Sequence, residues 1–266
     1  MIMKKLLQVS NIIALALTIA VNGIANTGII NNTTIPEQSN RYHTLITPAD
    51  YTFSIWGLIY LGLVAFIIYQ GKGLFKSSSQ NLDDPVLQIG WWFVVSCLAN
   101  SLWIYFWLND AIAISVLAML VLLFSLLRII VNTKMERWDA PNSIIFFVWW
   151  PMCLYSGWIT VATIVNVSAY LTKIGWDGFG LGEVDWTLIM LLVAGAIFHF
   201  MVWTRNMREY GMVGVWALIG IAMANYNKYD SITYTSLAIA LILIINVAVH
   251  GYQNRHTSPF LRSDTR

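Results

Sequence analysis

Charged residues are scarce in this 266-residue chain: they make up 11% of it, whereas 58% of its residues are hydrophobic. A water-soluble domain contains about a quarter charged residues. The composition therefore predicts an integral membrane protein, with most of its length inside the bilayer. The formal net charge of +2 is too small to favour nucleic acid as a partner.

Ionisable side chains are absent from the middle of the apolar segments. All 13 acidic residues lie in loops or at segment ends, and no lysine lies deep inside a segment. This pattern counts against proton-coupled pumps, which place such groups within the membrane, and against retinal proteins, which need a buried lysine. The sequence also lacks HExxH, CxxC and a glycine-rich phosphate loop, and no Ser-His-Asp set can be assembled in the membrane. We therefore predict no catalytic residue and no metal site.

Cysteine and histidine are rare, with two and four residues respectively. Cys97 and Cys153 lie in apolar segments and are expected to be buried thiols rather than a disulfide. His199 is the one histidine well inside a segment, where it is either a haem or metal ligand or a histidine hydrogen-bonded to a neighbouring helix. His250 and His256 are expected at the surface.

Eight apolar segments predict an all-α membrane bundle of about eight transmembrane helices, since a crossing helix needs about 20 mostly apolar residues. The seventh segment is short and rich in glycine. The loop at residues 26–52 is polar and is the longest connection. The segments cover residues 6–25, 53–71, 86–107, 111–131, 143–171, 185–204, 211–226 and 232–251.

The first segment also fits a cleaved signal peptide. Lys4 and Lys5 precede an apolar run that ends in Gly23-Ile24-Ala25, a small-residue cleavage pattern. The length of the run and its embedded Asn11 and Asn22 favour a retained helix.

The basic residues predict the orientation of the bundle. With the N-terminus in the cytoplasm and alternating crossings, twelve of the 15 Lys and Arg residues lie inside, and only Arg41, Lys173 and Lys228 lie outside. This asymmetry agrees with the positive-inside rule. We therefore expect an even number of helices with both termini cytoplasmic, in a cell (inner) membrane protein.

Aromatic and amide residues line one stripe on each of three segments. At about 100° per residue, each set falls within a sector of about 80°. Lipid does not favour such stripes, whereas a pocket for a flat aromatic ligand would. The stripes consist of Phe53, Trp56 and Tyr60 on the second segment; Trp92, Ser96, Asn100, Trp103 and Trp107 on the third; and Tyr155, Trp158, Ala162 and Asn166 on the fifth.

Buried amides are costly in hydrocarbon unless they are paired. Asn225 and Asn246 are expected to join helices to one another. Asn100 and Asn166 share stripes with tryptophans, so a role in facing or organising a pocket is an equal alternative. Trp138, Trp176 and Trp186 are expected at the membrane interfaces, where tryptophan is enriched.

Three motifs on these segments resemble the TspO/MBR family, the translocator or tryptophan-rich sensory proteins. Pro48 precedes Trp56-Gly57-Leu58-Ile59-Tyr60, Asn100-Ser101-Leu102-Trp103 keeps the third-helix spacing, and Trp158, Ala162 and Asn166 keep the fifth-helix spacing. The resemblance covers about residues 6–172. The chain departs from the family pattern at Leu45, Thr47, Ser96 and Leu154.

The resemblance implies a five-helix core whose pocket between the second, third and fifth helices binds a tetrapyrrole such as protoporphyrin or haem, or a sterol. The core has no histidine within a segment, which favours metal-free porphyrin or haem without a histidine ligand. Val167, Tyr170 and Lys173 fit a sterol motif. The site residues implied are Trp56, Tyr60, Trp92, Asn100, Trp103, Trp107, Tyr155, Trp158, Ala162 and Asn166, with Arg41, His43 and Pro48 as the lid.

The alternatives are a transporter of a small hydrophobic solute and an enzyme that degrades porphyrin with light or oxygen. The expected partners are the lipid bilayer and the small hydrophobic ligand, with no cofactor required. The chain is divided into a five-helix bundle at residues 1–172, three additional transmembrane helices at 173–251 and a basic cytoplasmic tail at 252–266. The sequence indicates no oligomeric state.

Overall fold

The computed structural model describes residues 2–42, 44–74 and 84–255. His43, Lys76, His256, Arg262 and Arg266 lie outside the described residues, as does most of the predicted tail. Within the described part, the chain is all helical and contains no strand. The predicted fold class is confirmed.

Eight long helices account for the eight predicted segments. Six of them are long and apolar enough to cross a bilayer, and Trp92–Leu108 is a shorter apolar helix. Short helices at Ile35–Arg41 and Pro85–Ile89 lie in the connections. The eight helices are α1 (Ile2–Ala25), α2 (Ile55–Gly71), α3 (Trp92–Leu108), α4 (Ile112–Asn132), α5 (Trp150–Lys173), α6 (Glu183–Arg205), α7 (Arg208–Asn225) and α8 (Asp230–Gln253).

The first five helices form a closed ring. Helix α1 packs on α2 and α3, α3 packs on α4, α4 on α5, and α5 returns to α2. A π-helical turn at Ile145–Trp149 leads directly into α5. Pro151 follows that turn and lacks the N–H that a regular α-helix would use, so the wider turn suits the proline.

The last three helices form a second group that joins the ring through α5 and α7. Helix α7 packs on α5, α6 and α8, whereas α6 has little contact with α5. A Cβ atom on Gly157 would lie 3.0 Å from Val213 Cβ, so the glycine allows the close approach of α5 to α7. The Thr160 and Tyr210 hydroxyls are hydrogen-bonded across this contact at 2.6 Å.

Polar contacts identify the two ends of the bundle. At one end, Lys4 pairs with Asp84, and Arg205 donates to the Ile130 carbonyl. At the other end, Lys173 pairs with Asp110 at 2.7 Å. His250, near the last described residue, contacts Asn206 beside Arg205. Both described ends of the chain therefore lie at the same end of the bundle, as alternating crossings require.

The prediction that His250 lies at the surface is wrong. His250 is buried, with 3% of its surface exposed, because its ring lies edge-on to Trp203 and its Nε2 is 3.1 Å from Asn206 Oδ1. Cys97 and Cys153 are buried free thiols, as expected.

Candidate functional site

Trp56 lies at the centre of an aromatic cluster that joins α2, α3 and α5. Its ring stacks on Tyr60, with centroids 5.5 Å apart, and on Trp103 at 6.2 Å. It meets Tyr155 and Trp158 edge-on at 6.0 and 6.3 Å. Stacked and edge-to-face pairs at these separations attract one another beyond the effect of burial. The three predicted stripes therefore meet at one place.

A cavity of about 30 Å³ lies beside this cluster. We call it the aromatic cavity. It has room for about one or two water molecules. Its walls are Ile35, Ser39, Pro48, Phe53, Trp56, Trp103, Trp107, Trp158, Val161, Ala162, Val165 and Asn166.

Two amide networks hold the aromatic rings in place. Trp103 Nε1 donates to Asn166 Oδ1 at 3.0 Å, and Asn166 Nδ2 donates to Ser115 Oγ at 3.0 Å. Behind the cavity, Asn100 Nδ2 donates to the Tyr155 hydroxyl at 3.1 Å, and a second amide from α1 donates to Asn100 Oδ1. The side chains of Asn100 and Asn166 thus both have hydrogen-bond partners within the protein. Of the two, only Asn166 lines the aromatic cavity.

Trp158 has an unpaired donor. The side chain lines the aromatic cavity and is 2% exposed, yet its Nε1 has no hydrogen-bond partner among the described residues. A buried polar group without a partner costs about 1–3 kcal/mol. This N–H can therefore donate to an acceptor that enters the cavity.

A short helix covers the aromatic cavity. Thr34 caps the helix Ile35–Arg41 in a reciprocal capping box with Glu37. Ile35 and Ser39 on this helix line the cavity, and Trp107 Nε1 donates to the Ile35 carbonyl at 3.4 Å. The sequence prediction missed this helix, although Thr34-Ile35-Pro36-Glu37 carries the capping-box signature with proline in the first turn.

The predicted lid residues differ in position. Pro48 lines the aromatic cavity. Arg41 lies at the exposed end of the short helix, away from the cavity walls. His43 lies outside the described residues.

Helix α7 anchors the segment that carries Pro48. Ala49 N donates to the Gly220 carbonyl at 3.0 Å. Asn225 Nδ2 donates to the Leu45 carbonyl at 2.8 Å, and Trp216 Nε1 donates to the Thr52 carbonyl at 3.0 Å. Asn225 thus binds a loop instead of another helix. Helix α7 therefore helps to position the part of the cavity wall that contains Pro48.

Four of the predicted site residues, Tyr60, Trp92, Asn100 and Tyr155, are not among the cavity walls. Tyr60, Asn100 and Tyr155 lie in or beside the aromatic cluster, whereas Trp92 lies elsewhere. The Trp92 ring packs edge-on against Phe124 at 5.5 Å, and the Arg128 guanidinium lies 5.7 Å from its centroid. Trp92 therefore faces α4 and is absent from the walls of the aromatic cavity.

The predicted sterol motif is divided between two environments. Val167 lines a different cavity, which lies between α5 and α6. Lys173 instead donates to Asp110 at 2.7 Å, and the Tyr42 hydroxyl donates to the same carboxylate at 2.7 Å. Burial raises the pKa of Asp110, but the hydrogen bonds from Lys173 and Tyr42 outweigh it, and the net pKa is lowered. Tyr170 is partly buried against the core.

His199 is exposed on α6, one turn from Trp203, and its ring has no hydrogen bond to the described residues.

Asn246 accepts a hydrogen bond from Trp203 Nε1 at 3.2 Å and so joins α8 to α6, as expected. Among the described residues, no three His, Cys, Asp or Glu side chains are grouped so as to hold a metal ion.

Comparison with known proteins supplies one match. The family model described as TSPO-like protein matches residues 8–249. The match extends past residue 172, where the motif resemblance ends, and takes in α6, α7 and most of α8. No curated protein and no solved structure matches the chain.

Proposed function

The chain belongs to the TSPO-like protein family, and we propose that this multi-pass membrane protein binds a flat hydrophobic ligand of the tetrapyrrole class in the aromatic cavity. The ligand would lie between α2, α3 and α5, beneath the helix Ile35–Arg41. The observation that carries the proposal is the meeting of the three aromatic stripes around a cavity whose wall holds an unpaired N–H on Trp158.

The chemistry of the walls favours a π-system over a simple hydrocarbon. Trp56, Trp103 and Trp158 present large aromatic surfaces, and planar rings stack on such faces. Trp158 Nε1 supplies a hydrogen-bond donor for a polar atom of the ligand. Asn166 is held by Trp103 and Ser115 and so keeps its tryptophan neighbour in a fixed orientation.

The described conformation is closed. Pockets for drug-sized ligands have volumes of roughly 300–1,000 Å³, whereas the aromatic cavity has about 30 Å³. Binding of a tetrapyrrole therefore requires the cover to move. The helix Ile35–Arg41 is the element suited to this movement because it is short and lies in the connection between α1 and α2.

The side chains of the cavity walls favour metal-free porphyrin over haem. Haem iron is held by His, Cys, Met or Tyr ligands. None of these side chains is among the walls that the described residues provide. We therefore choose protoporphyrin as the probe and expect haem to bind no more tightly.

A protoporphyrin titration of the purified full-length protein, in the dark and without oxygen, tests the proposal. Saturable binding is expected, and Trp158→Phe should weaken it by about 10-fold, as for the loss of one hydrogen bond worth about 1.4 kcal/mol. Trp92→Phe is the matched control, because it removes a tryptophan that also belongs to a predicted stripe but lies away from the cavity.

Equal affinity in the wild-type protein and Trp158→Phe, or an equal loss in Trp92→Phe, would rule out this site. The dark and anaerobic conditions separate binding from light- or oxygen-dependent breakdown of the porphyrin. Competition by cholesterol in the same titration would instead favour a sterol as the ligand.

A further inference from the structure

A second and larger cavity lies where α5 ends and α6 begins. Its volume is about 420 Å³, within the range of roughly 300–1,000 Å³ for small-molecule sites. It extends from Thr163 to Thr172 along α5, which at 1.5 Å per residue is a depth of about 14 Å. We call it the Trp176–Trp186 cavity. It shares no lining residue with the aromatic cavity.

Two tryptophans form an aromatic wall at the mouth of this cavity. The Trp176 and Trp186 rings lie 4.9 Å apart at an angle of 54°. Trp186 Nε1 donates to the Gly178 carbonyl at 2.6 Å, which fixes the ring. Gly178 has a φ of +67°, and a Cβ there would lie 2.9 Å from the Trp186 ring, so only glycine allows this contact.

The deeper wall is apolar. Ile164, Val167 and Leu171 from α5 face Met190 from α6 across the cavity. The hydroxyls of Thr163 and Thr187 donate to main-chain carbonyls of their own helices. No lining residue has a buried polar atom without a partner. The interior therefore offers an apolar ligand a surface without unmet hydrogen bonds.

The charge at the mouth is negative. Asp177 and Glu183 line the cavity, and no Lys, Arg or His is among its described walls. Each carboxylate accepts one main-chain N–H, from Phe179 at 3.0 Å and from Leu45 at 3.3 Å. Neither forms an ion pair within the described residues, and the nearby Lys173 is paired with Asp110 instead.

From these observations we propose that the Trp176–Trp186 cavity binds a hydrophobic organic cation. An ammonium group at the mouth would meet the Asp177 and Glu183 carboxylates and the face of Trp176, since cations are attracted to tryptophan faces. The apolar body would lie against Val167 and Met190. Anionic ligands, including the propionates of a porphyrin, would be repelled. The site is therefore distinct in place and in chemistry from the proposed tetrapyrrole site.

Two acidic residues lie at the start of α6. Acidic residues in the first turn of a helix are stabilised by its dipole, and both Glu183 and Asp185 lie in the first turn of α6. Only Glu183 lines the cavity. Asp185 is thus a matched control: it has the same charge on the same turn but lies outside the cavity.

Equilibrium dialysis of the full-length protein in a neutral detergent, with phenyltrimethylammonium as the probe and benzenesulfonate as its anionic counterpart, tests the proposal. Saturable binding of the cation alone is expected. The double variant Asp177→Asn/Glu183→Gln should weaken it by about 10-fold or more, while both amide side chains keep an oxygen for their main-chain donors. Asp185→Asn should change the affinity by less than about 2-fold.

Ser168→Phe provides an independent test, because Ser168 lines the cavity and a phenyl ring there would block part of it. This variant should lose cation binding and keep protoporphyrin binding. Absence of saturable cation binding, equal binding of benzenesulfonate, an equal loss in Asp185→Asn, or retained binding in Ser168→Phe would each overturn the proposal.

Discussion

At the residue scale, two Trp–Asn hydrogen bonds in different surroundings give the first prediction. Trp103 donates to Asn166 within the core at 3.0 Å, and Trp203 donates to Asn246 near the surface at 3.2 Å. Asn166→Leu leaves a buried N–H unpaired and should lower the free energy of unfolding by about 1–3 kcal/mol. Asn246→Leu should cost about 0.6 kcal/mol, the average for hydrogen bonds between membrane helices.

Thermal unfolding of both variants in the same detergent provides the comparison. Equal shifts in Tm would contradict the organising role given to Asn166. A shift with Asn166→Leu that exceeds that with Asn246→Leu would support it.

Glu136 gives a second prediction at this scale. It lies in the connection between α4 and the turn before α5, and burial, with a smaller effect of the Glu209 charge, raises its pKa from 4.5 to about 8. The folded state therefore holds a proton that the unfolded state releases between these two pH values. The free energy of unfolding should fall as pH rises from 4.5 to 8, by up to about 1.4 kcal/mol per pH unit.

Denaturant unfolding at pH 5, 6.5 and 8 measures this dependence. Glu136→Gln should flatten the profile, because the amide does not titrate. A wild-type profile that rises between pH 5 and 8, or an unchanged slope in Glu136→Gln, would contradict the assignment.

Individual residues divide into those that the sequence could place and those that it could not. Trp56, Trp103 and Trp158 could be placed because helical spacing assigns each of them to an aromatic or amide stripe on its own helix. Trp92 has the same spacing, but its ring turns to Phe124 and Arg128 on α4, which are partners that spacing cannot specify. The position of His250 near the end of the last segment predicts a surface residue, yet Trp203 and Asn206 from other parts of the chain contact and bury it.

At the element scale, the contact of α7 with the loop before α2 gives the third prediction. A Cβ on Gly220 would overlap Thr52 and lie 3.1 Å from Pro48 Cβ. Gly220→Ala should therefore lower the Tm, although alanine favours a helix over glycine by about 1 kcal/mol. Gly57→Ala on α2 is the control, since a Cβ there meets nothing within 4 Å, and its Tm should stay the same or rise.

Limited proteolysis of the same two variants tests the position of the loop. Cleavage between residues 42 and 54 should become faster in Gly220→Ala and remain unchanged in Gly57→Ala. Equal Tm and equal cleavage would mean that α7 does not hold the loop.

The anchoring of this loop left no signature in the sequence. Trp216 and Asn225 donate hydrogen bonds to the main-chain carbonyls of Thr52 and Leu45, and a carbonyl is present at every residue, so the sequence does not mark these two.

The eight long helices were predictable because the chain contains eight apolar runs, and a crossing helix needs about 20 mostly apolar residues. The helix Ile35–Arg41 was predictable from its capping box. Trp176 and Trp186 were assigned to the interface, but the cavity between them depends on how α5 and α6 diverge, which composition does not specify.

At the scale of the whole molecule, the orientation of the bundle gives the fourth prediction. Lys228 lies between α7 and α8, and Lys72 follows α2 at the opposite end. In intact cells, a membrane-impermeant maleimide should label Lys228→Cys but not Lys72→Cys, because the basic residues favour a cytoplasmic position for the second. The native Cys97 and Cys153 are buried and should remain unlabelled.

Labelling of Lys72→Cys in intact cells, with Lys228→Cys protected, would show that the bundle has the opposite orientation. Lysed cells supply the control, in which both variants should react.

The whole molecule combines a ring of five helices with three more, of which α7 holds the segment that carries Pro48. The aromatic cavity is closed at about 30 Å³, and this segment of its wall is tied to α7 by three hydrogen bonds from main-chain or side-chain donors. Ligand entry should therefore depend on residues in the last three helices that never touch the ligand.

The central claim is that a tetrapyrrole occupies the space between α2, α3 and α5, and a crystal structure of the full-length protein saturated with protoporphyrin tests it most directly. We expect density for the ring system between Trp56, Trp103 and Trp158, an acceptor within hydrogen-bond distance of Trp158 Nε1, and a displaced helix Ile35–Arg41. Density elsewhere, or an unoccupied cavity beneath an unmoved helix, would contradict the account.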